Sequence, residues 1–323
     1  MAEDWLETPY SLQNKRVYVA GHRGLVGSAM IRRLQQENCE ILTNDLDLRR
    51  QAEVEIWFQR YRPDVVVLAA AKVGGIGANI ETPANFIYDN LAIETNVIHA
   101  AKEARVEKLL FLGSSCIYPK EATLPITEDA LLSGALEPSN QAYAVAKIAG
   151  IQMCQSYRTQ YGCDFIAAMP CNLYGPGDRF QEASSHVIPA LIMKAMVATD
   201  EFVVWGTGKP LREFLYVDDA VDALVFLLKN YSSARIVNVG SGQEVSIAGL
   251  ARAVAQVCGF RGEIIFDASK PDGVIRKVMD SSRIFAAGWS PKILLEEGLR
   301  RTHHWYVSSQ EVLSGQHYIS RQK

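Results

Sequence analysis

A glycine-rich turn near the N-terminus constrains the fold of this chain more than any other sequence feature. The segment Lys15–Ala20 (KRVYVA) predicts a short strand, and Gly21, Gly24 and Gly27 follow it as GxxGxxG before a helix predicted from residue 28 to about 38. In such a turn the glycines permit a tight bend, close approach of a pyrophosphate, and packing of the helix on the strand. The helix N-terminus favours an anion. The turn predicts a dinucleotide site; a strand–helix turn without a ligand is the alternative.

Strands and helices alternate along the first half of the chain. Continuous apolar segments without polar alternation occur at 65–71, 108–112 and 165–170. Such segments are typical of strands buried on both faces of a parallel sheet. Helical patterns separate them. The order predicts an α/β protein with a Rossmann-type doubly wound parallel sheet, followed by a smaller C-terminal α/β substrate lobe.

The predicted elements also suggest how the chain divides into domains. We expect a dinucleotide-binding domain at 14–175 with a returning segment at about 214–240, and a substrate lobe at 176–213 and 241–310. The first 14 residues are expected to form a loose leader. Residues 301–323 are expected to form a polar helix with a frayed end.

Composition and charge exclude several classes of protein. The 323 residues carry 33 Lys and Arg against 36 Asp and Glu, and a net charge of −3 argues against nucleic-acid binding. The longest apolar run, Val65–Ala71, is too short for a membrane span, and the acidic N-terminus does not resemble a signal peptide. Six scattered cysteines without a CxxC pair indicate reduced thiols in a cytoplasmic protein. The six dispersed histidines form no metal-binding motif, so we expect no metal.

Side chains near the glycine turn bear on which dinucleotide binds. Arg23 lies inside the turn, where a guanidinium can contact the 2′-phosphate of NADPH; an ordinary solvated arginine is the alternative. Asp45 follows the second predicted strand, where NAD enzymes place an acidic residue on the ribose hydroxyls. Asp45 alternatively caps the next helix while Arg49 and Arg50 turn toward the phosphate. The sequence favours NADPH and does not exclude NADH.

A tyrosine, a lysine and a serine form a candidate catalytic group. Tyr143 and Lys147 make a YxxxK pair on one face of a predicted helix. The ammonium, beside a positively charged nicotinamide, is expected to stabilise the phenolate and lower the pKa of the tyrosine, so that it exchanges a proton near neutral pH. Ser114 follows an apolar strand at the sheet edge where α/β folds bind ligands. In this order, the three predict a Ser-Tyr-Lys reductase or epimerase; for YxxxK alone, a packing tyrosine and a surface lysine are the alternative.

With these motifs the chain resembles the extended short-chain dehydrogenases/reductases, and within them the GDP-L-fucose synthase family. The resemblance extends from residue 16 to about 310 without a large gap, and SSCIYPK together with SHVIPAL makes it specific. The segments that carry it are GHRGLVGSA (21–29), LAAAKVGGI (68–76), FLGSSCIYPK (111–120), YAVAKIAGI (143–151), PCNLYGPGD (170–178), SHVIPAL (185–191), VWGTGKPLREFL (204–215) and SKPDGVIRKVMDSS (269–282).

The resemblance implies an NADP-dependent bifunctional enzyme that epimerises C3 and C5 of GDP-4-keto-6-deoxy-D-mannose and reduces C4 to give GDP-L-fucose. The C4 ketone acidifies the hydrogens at C3 and C5, so inversion needs a base and an acid on opposite faces. The family's cysteine and histidine match Cys116 and His186. The resemblance further implies that Tyr143 donates a proton at C4 and that Ser114 holds the C4 oxygen. Lys147 is implied to orient the nicotinamide ribose.

The resemblance also implies binding residues. Diphosphates favour Arg and Lys, and a guanine base favours an apolar or aromatic wall. A core tryptophan and a solvated lysine are the alternatives for Trp205 and Lys277. Family members usually carry a basic residue after the second strand; the loop 43–45 looks shortened here, which leaves Arg23 most of the contact with the phosphate. The implied cofactor contacts are Gly21, Arg23, Gly24, Gly27, Lys147, Leu173 and His186, and the implied substrate contacts are Asn172, Val187, Trp205, Arg212 and Lys277.

Relatives with similar chemistry leave the substrate open. GDP-L-colitose synthases act on a GDP-4-keto-3,6-dideoxy sugar, and reductases of GDP-4-keto heptoses share the scaffold. A non-catalytic cofactor-binding sensor is a more distant alternative, against which the intact Ser114, Tyr143 and Lys147 argue. Related reductases pair through helices that match 90–104 and 143–161, so we expect a homodimer.

Overall fold

The computed structural model describes residues 4–181, 185–270 and 272–320. The strands are β1 (Arg16–Ala20), β2 (Glu40–Leu42), β3 (Val65–Leu68), β4 (Lys108–Leu112), β5 (Asp164–Pro170), β6 (Asn172–Tyr174), β7 (Glu201–Trp205), β8 (Leu211–Tyr216), β9 (Val237–Val239), β10 (Glu244–Ser246), β11 (Glu263–Asp267) and β12 (Arg276–Lys277). The helices are α1 (Leu25–Leu34), α2 (Gln51–Tyr61), α3 (Ile76–Glu81), α4 (Pro83–Glu103), α5 (Gln141–Tyr161), α6 (Val187–Val197), α7 (Val217–Asn230), α8 (Ile247–Cys258), α9 (Ser282–Ala286) and α10 (Leu295–Ser320).

Six parallel strands form the central sheet in the order β2-β1-β3-β4-β5-β9. Every residue of β3 and β4 is buried, which fits the apolar sequences of β3 and of residues 109–112, and the buried ammonium of Lys108 pairs with Asp164. Helix α1 packs on α7, and α4 packs on α2 and α5. The strand order reverses beside β1, which opens a crevice at the carboxyl edge of the sheet. The predicted Rossmann-type doubly wound fold is confirmed.

A second, smaller core lies on the C-terminal side of the chain. Strand β8 pairs with β6, β10 and β12, and β7 pairs with β11. Side chains of α6, β7, β8 and α8 fill this core. Strand β9 joins the central sheet, and Ile284 and Trp289 pack in the first core although they lie within 241–310. The domain boundaries given above therefore stay a prediction, and α9 belongs by its packing to the first core.

The N-terminal segment differs from the loose leader that the sequence predicted. From Asp4 onward it packs on the first domain. The backbone N–H groups of Leu6 and Tyr10 donate to carbonyls at the end of α7 at 2.8 and 2.6 Å, and Leu12 is buried. These contacts could not be predicted from the polar sequence of the segment, because their partners lie far along the chain. Residues 1–3 lie outside the described residues.

Several elements differ from the sequence prediction in extent. Helix α1 begins at Leu25 rather than at residue 28, because Gly24 already takes the N-cap position. The short helix α3 and the strands β6, β8, β10 and β12 were not predicted. Elements of two to six residues hold too few positions to show a period. The predicted C-terminal helix is present as α10, and residues 321–323 lie outside the described residues.

Candidate active site

The glycine turn joins β1 to α1. Gly21 has a φ of +86°, and a Cβ there would lie 2.7 Å from the backbone of Ala70. At Gly27 a Cβ would lie 2.1 Å from the carbonyl oxygen of Gly21, so a side chain would force α1 away from β1. Gly24 is the N-cap of α1. The three glycines thus bring a helix N-terminus to the sheet edge, which fits the pyrophosphate of a dinucleotide.

Arg23 and Asp45 form an exposed ion pair beside this turn. The Nη2 of Arg23 lies 2.6 Å from Oδ2 of Asp45, and Nε2 of His22 lies 3.5 Å from the other carboxylate oxygen. Asn44 in the same loop is uncharged and donates to the hydroxyl of Tyr18 at 2.9 Å. The guanidinium suits a 2′-phosphate and the carboxylate suits ribose hydroxyls, so the two candidate contacts for the cofactor ribose lie side by side.

Ser114 and Tyr143 meet at the carboxyl edge of β4. Ser114 precedes a short 3-10 helix (Ser115–Ile117) and accepts a hydrogen bond from the backbone N–H of Cys116 at 3.3 Å. The side chains of Ser114 and Tyr143 both line the cleft. Burial raises the pKa of Tyr143 above its ordinary value, and the nearby Cys116 and Glu94 raise it further, whereas the interaction with Ser114 favours the phenolate and lowers the pKa. Without further charge, Tyr143 is a phenol at neutral pH.

The protein groups around Tyr143 raise its pKa, and Lys147 is not among those that lower it; the lowering by Lys147 together with a bound nicotinamide stays a prediction. The Nζ of Lys147 donates to the carbonyl oxygen of Leu112 at 3.0 Å and lies 2.9 Å from Oε1 of Glu94. It lies 5.9 Å from the centre of the Tyr143 ring. Because the carboxylate balances the ammonium, the positive charge that reaches the phenol is small.

Glu94 is a residue near the site that sequence reasoning missed. Its side chain and that of Lys147 are 1% and 2% exposed, so their ion pair is buried. Burial raises the pKa of Glu94, and Lys147 opposes the rise. Gly150 makes room for the pair, since a Cβ there would lie 2.9 Å from Oε2 of Glu94 and 2.4 Å from the ring of Phe111. The one feature of the sequence that pointed to Glu94 was a carboxylate within the helix predicted at 90–104.

Cys116 has a hydrogen-bond partner that was also not predicted. The Nδ2 of Asn140 donates to the Sγ of Cys116 at 3.3 Å. Asn140 is the N-cap of α5, yet its side chain makes no capping hydrogen bond, and its Oδ1 is buried without a partner. Its place just before Tyr143 in sequence was the only signal. Cys116 therefore lies between Ser114, the N-cap of its own 3-10 helix, and Asn140, the N-cap of the helix α5 that carries Tyr143.

His186 approaches from the other lobe, where it is the N-cap of α6. Its Nδ1 lies 3.6 Å from Oδ1 of Asp178, and its side chain is 47% exposed. The carboxylate of Asp178 is buried and accepts from the backbone N–H of Arg179 at 2.8 Å, which fixes it beside the imidazole. Asp178 was not predicted as a site residue, although it ends the segment PCNLYGPGD.

Two cations and an amide line the substrate-lobe wall. Strands β8 and β12 pair so that Arg212 and Lys277 are neighbours. Burial lowers the pKa of Arg212, and Asp272 opposes this effect. Asn172 of β6 donates to the carbonyl oxygen of Glu213 at 2.8 Å, which anchors it beside β8. Adjacent cations on one wall suit a diphosphate.

Trp205 is the predicted site residue that the structure does not bring to the cleft. It ends β7, and its ring is 63% exposed. The Nζ atoms of Lys194 and Lys270 lie 4.8 and 5.7 Å from the ring centre. Strand β7 pairs with β11 in a separate two-stranded sheet, which carries the ring away from β8.

One cleft of about 1780 Å³ joins the remaining candidates. This volume exceeds the roughly 300–1000 Å³ of a site for one small ligand, so it has room for a dinucleotide and a nucleotide sugar together. Both lobes line it. Its predicted members are Gly21, Arg23, Gly24, Gly27, Ser114, Cys116, Tyr143, Lys147, Asn172, Leu173, His186, Val187, Arg212 and Lys277.

Residues 17–240 match the model of the NAD dependent epimerase/dehydratase family. The chain belongs to this family. It is 56% identical over 307 residues to the GDP-L-fucose synthase of Sinorhizobium fredii (strain NBRC 101917 / NGR234), which covers 93% of this chain and 98% of that protein. It is 35% identical to the GDP-L-colitose synthase of Yersinia pseudotuberculosis, over 91% of this chain and 98% of that one. Identity therefore favours the GDP-L-fucose synthases over the colitose enzyme.

A solved structure of the family has the same fold. The crystal structure of a GDP-L-fucose synthetase from Naegleria fowleri bound to NADP superposes with a TM-score of 0.88 at 29% identity, covering 95% of this chain and 99% of that one. The glycine cradle and the large cleft of this chain fit a nicotinamide dinucleotide at the carboxyl edge of the central sheet.

The described residues contain no cluster of metal-binding side chains. Across 4–181, 185–270 and 272–320, no group of three or more His, Cys, Asp or Glu side chains is arranged to hold a metal ion. Within the same ranges, the structure contains no helix that is both long and apolar enough to span a membrane. The six cysteines are unpaired. The cleft therefore offers acid–base groups together with a dinucleotide cradle.

Proposed function

We propose that this enzyme uses NADPH to epimerise C3 and C5 and to reduce C4 of GDP-4-keto-6-deoxy-D-mannose, which gives GDP-L-fucose. One observation carries the proposal: a single cleft joins Ser114, Tyr143 and Lys147 to Cys116 and to His186 of the other lobe. A simple reductase needs only the first three. Two further proton-transfer groups match a reaction that inverts carbons before reduction.

For the inversions, we assign Cys116 as the base and His186 as the acid. Loss of a proton from C3 or C5 gives an enolate, because the electron pair of the broken C–H bond moves toward the C4 oxygen. The thiolate of Cys116 takes this proton and becomes a thiol. The imidazolium of His186 returns a proton to the opposite face of the carbon and becomes neutral. Hydrogen bonds from Ser114 and Tyr143 stabilise the negative charge that develops on the C4 oxygen.

For the reduction, we assign Tyr143 as the proton donor. The nicotinamide cofactor supplies the hydride that C4 accepts. Burial raises the pKa of Tyr143, so the phenol carries its proton until the C4 oxygen takes it. Ser114 holds the same oxygen, and Lys147, fixed by Glu94 and Leu112, orients the ribose next to the nicotinamide.

The binding roles follow the chemistry of each wall. Gly21, Gly24 and Gly27 would hold the pyrophosphate of the cofactor, and Arg23 would contact the 2′-phosphate, which favours NADPH. Because Asp45 pairs with Arg23, it competes with the 2′-phosphate for the guanidinium. NADH is therefore an alternative cofactor, although a weaker one than NADPH. Leu173 and His186 complete the cofactor contacts. Arg212 and Lys277 would hold the GDP diphosphate, with Asn172 and Val187 beside them.

The decisive experiment uses the purified protein in heavy water. With GDP-4-keto-6-deoxymannose and NADPH, we expect NADPH oxidation and deuterium at C3 and C5 of the product. The Cys116→Ser variant removes the proposed base and should block deuterium entry at C3 and C5. Undiminished deuterium entry in that variant would contradict the role of Cys116.

The same assay separates the alternatives. Faster turnover of a GDP-4-keto-3,6-dideoxy sugar would indicate a GDP-L-colitose synthase, and faster turnover of a GDP-4-keto heptose would indicate a heptose reductase. No NADPH or NADH oxidation with any of these sugars would favour a cofactor-binding sensor. Identity to the curated relatives supports the fucose precursor.

We also propose that the enzyme is a cytoplasmic homodimer. Helices α4 and α5 lie side by side and expose Tyr88, Val145 and Tyr161. A second copy would pack its own α4 and α5 against this helix pair. The six unpaired cysteines agree with a reducing compartment. Light scattering of the wild type and of Tyr88→Glu tests the dimer: the variant is expected to be monomeric, and a wild-type monomer would contradict the proposal.

A further inference from the structure

One hydrogen bond in the cleft joins a residue without an assigned role to the proposed epimerisation base. The Nδ2 of Asn140 donates to the Sγ of Cys116 at 3.3 Å. An amide nitrogen only donates, and an ionised sulfur is a better acceptor than a neutral thiol. We propose that Asn140 is a positioning residue that holds the sulfur of Cys116 and stabilises its thiolate during the inversions at C3 and C5. This inference rests on the proposed function.

The surroundings of Asn140 argue against a purely structural role. It occupies the N-cap position of α5, but its side chain donates to and accepts from none of the backbone groups there. Its Oδ1 is buried without a partner, which destabilises the folded state. A smaller apolar residue would avoid this loss. The hydrogen bond from Nδ2 to the sulfur of Cys116 is the interaction of this side chain that we connect with function.

The charges around Cys116 explain why a neutral amide suits the stabilisation of its thiolate. The phenol of Tyr143 interacts electrostatically with Cys116 from α5, and a negative charge on either would disfavour one on the other. The ammonium of Lys147 is paired with Glu94 and is held by the carbonyl of Leu112. A neutral donor at hydrogen-bond distance can therefore stabilise the thiolate without ionising the phenol. The remaining charged groups on the cleft walls are His22, Arg23, Asp45, Asp47, Arg49, Lys72, Asp89, Lys120, Glu121, Glu137, Asp178, Arg179, His186, Arg212, Asp272, Arg276 and Lys277.

Alkylation kinetics measure the thiolate without any turnover. Wild type, Asn140→Asp and Asn140→Ala are treated with iodoacetamide over a range of pH, and modification of Cys116 is followed by mass spectrometry. We expect the pH midpoint for Cys116 to rise by about one unit in the alanine variant, and further in the aspartate variant, which keeps the shape but replaces the donor with a negative charge. Ser139→Ala is the matched control, because Ser139 bonds to Glu137. Unchanged midpoints in both Asn140 variants would overturn the proposal.

Deuterium exchange then tests the catalytic consequence. In Asn140→Ala we expect exchange at C3 and C5 to fall about tenfold near neutral pH, and the ratio of the variant rate to the wild-type rate to approach one as the pH is raised, since more thiolate then forms in both proteins. The melting temperature should not fall, because the buried unpaired Oδ1 is removed with the side chain, and NADPH affinity should match the wild type. A rate ratio that stays low at every pH would indicate a structural role and contradict the proposal. Wild-type protein that incorporates no deuterium would instead contradict the proposed function, while the alkylation result would still decide whether Asn140 stabilises the thiolate.

Discussion

The two walls of the cleft differ in how much of their chemistry is fixed before a ligand binds. On the wall formed by β4 and α5, Lys147 and Glu94 form a buried ion pair, and Tyr143 and Ser114 lie near it. On the opposite wall, His186 is half-exposed and Trp205 lies outside the cleft. The first wall is part of the large core, whereas the second is built on short strands and a helix start. Reduction chemistry is therefore preorganised, and contacts to the sugar nucleotide depend more on the ligand.

Tyr143→Phe is expected to have the largest effect, because it removes the proposed proton donor from the preorganised wall. NADPH oxidation with the keto sugar should fall by about 10²–10⁴-fold. Deuterium exchange at C3 and C5 should fall much less, since Cys116 and His186 remain. Parallel measurement of both rates on the same preparation checks this. Equal losses would mean that the tyrosine serves the inversions as much as the reduction.

Glu94→Gln tests whether the buried pair stabilises this wall. The variant leaves the ammonium of Lys147 buried without a counter-charge, so the free energy of unfolding should fall by about 3–5 kcal/mol in urea titrations. The matched control is Glu244→Gln, which breaks the surface pair with Arg276 (2.6 Å) and should cost about 1 kcal/mol or less. Similar losses in both variants would contradict the distinction between the two pairs.

Arg23→Ala tests the choice of cofactor at the edge of the same wall. NADPH affinity should fall about tenfold because a charged contact to the 2′-phosphate is lost, while NADH affinity changes little. Asp45→Asn is the opposing variant: it frees the guanidinium and should increase the preference for NADPH. Fluorescence titration with both cofactors measures the ratio. Equal losses for the two cofactors in Arg23→Ala would exclude a contact with the 2′-phosphate.

Trp205→Ala should have the smallest effect if the second wall keeps its present arrangement. The side chain is exposed and outside the cleft, so KM for the nucleotide sugar should change by less than about threefold. Steady-state kinetics at saturating NADPH provide the value. A rise of tenfold or more would show that β7 moves toward the sugar nucleotide on binding, as the family resemblance implies for Trp205.

Local patterns predicted the parts of the site that depend on local structure. The glycine turn and the YxxxK pair are set by the backbone between neighbouring residues, so their placement followed from the spacing together with the strands and helices that flank them. Glu94 and Asn140 were missed because their partners, Lys147 and Cys116, lie on other elements. The N-terminal segment was misjudged for the same reason: its contacts are with the end of α7.

The sequence by itself determined the doubly wound sheet, the dinucleotide cradle and the order of the acid–base residues, because apolar periodicity and glycine geometry act over a few residues. Only the tertiary structure decided the electrostatics of the site. It buried Glu94 against Lys147, raised the pKa of Tyr143, and set an amide against the sulfur of Cys116. Burial and pairing depend on which elements pack together, and that is a property of the whole fold.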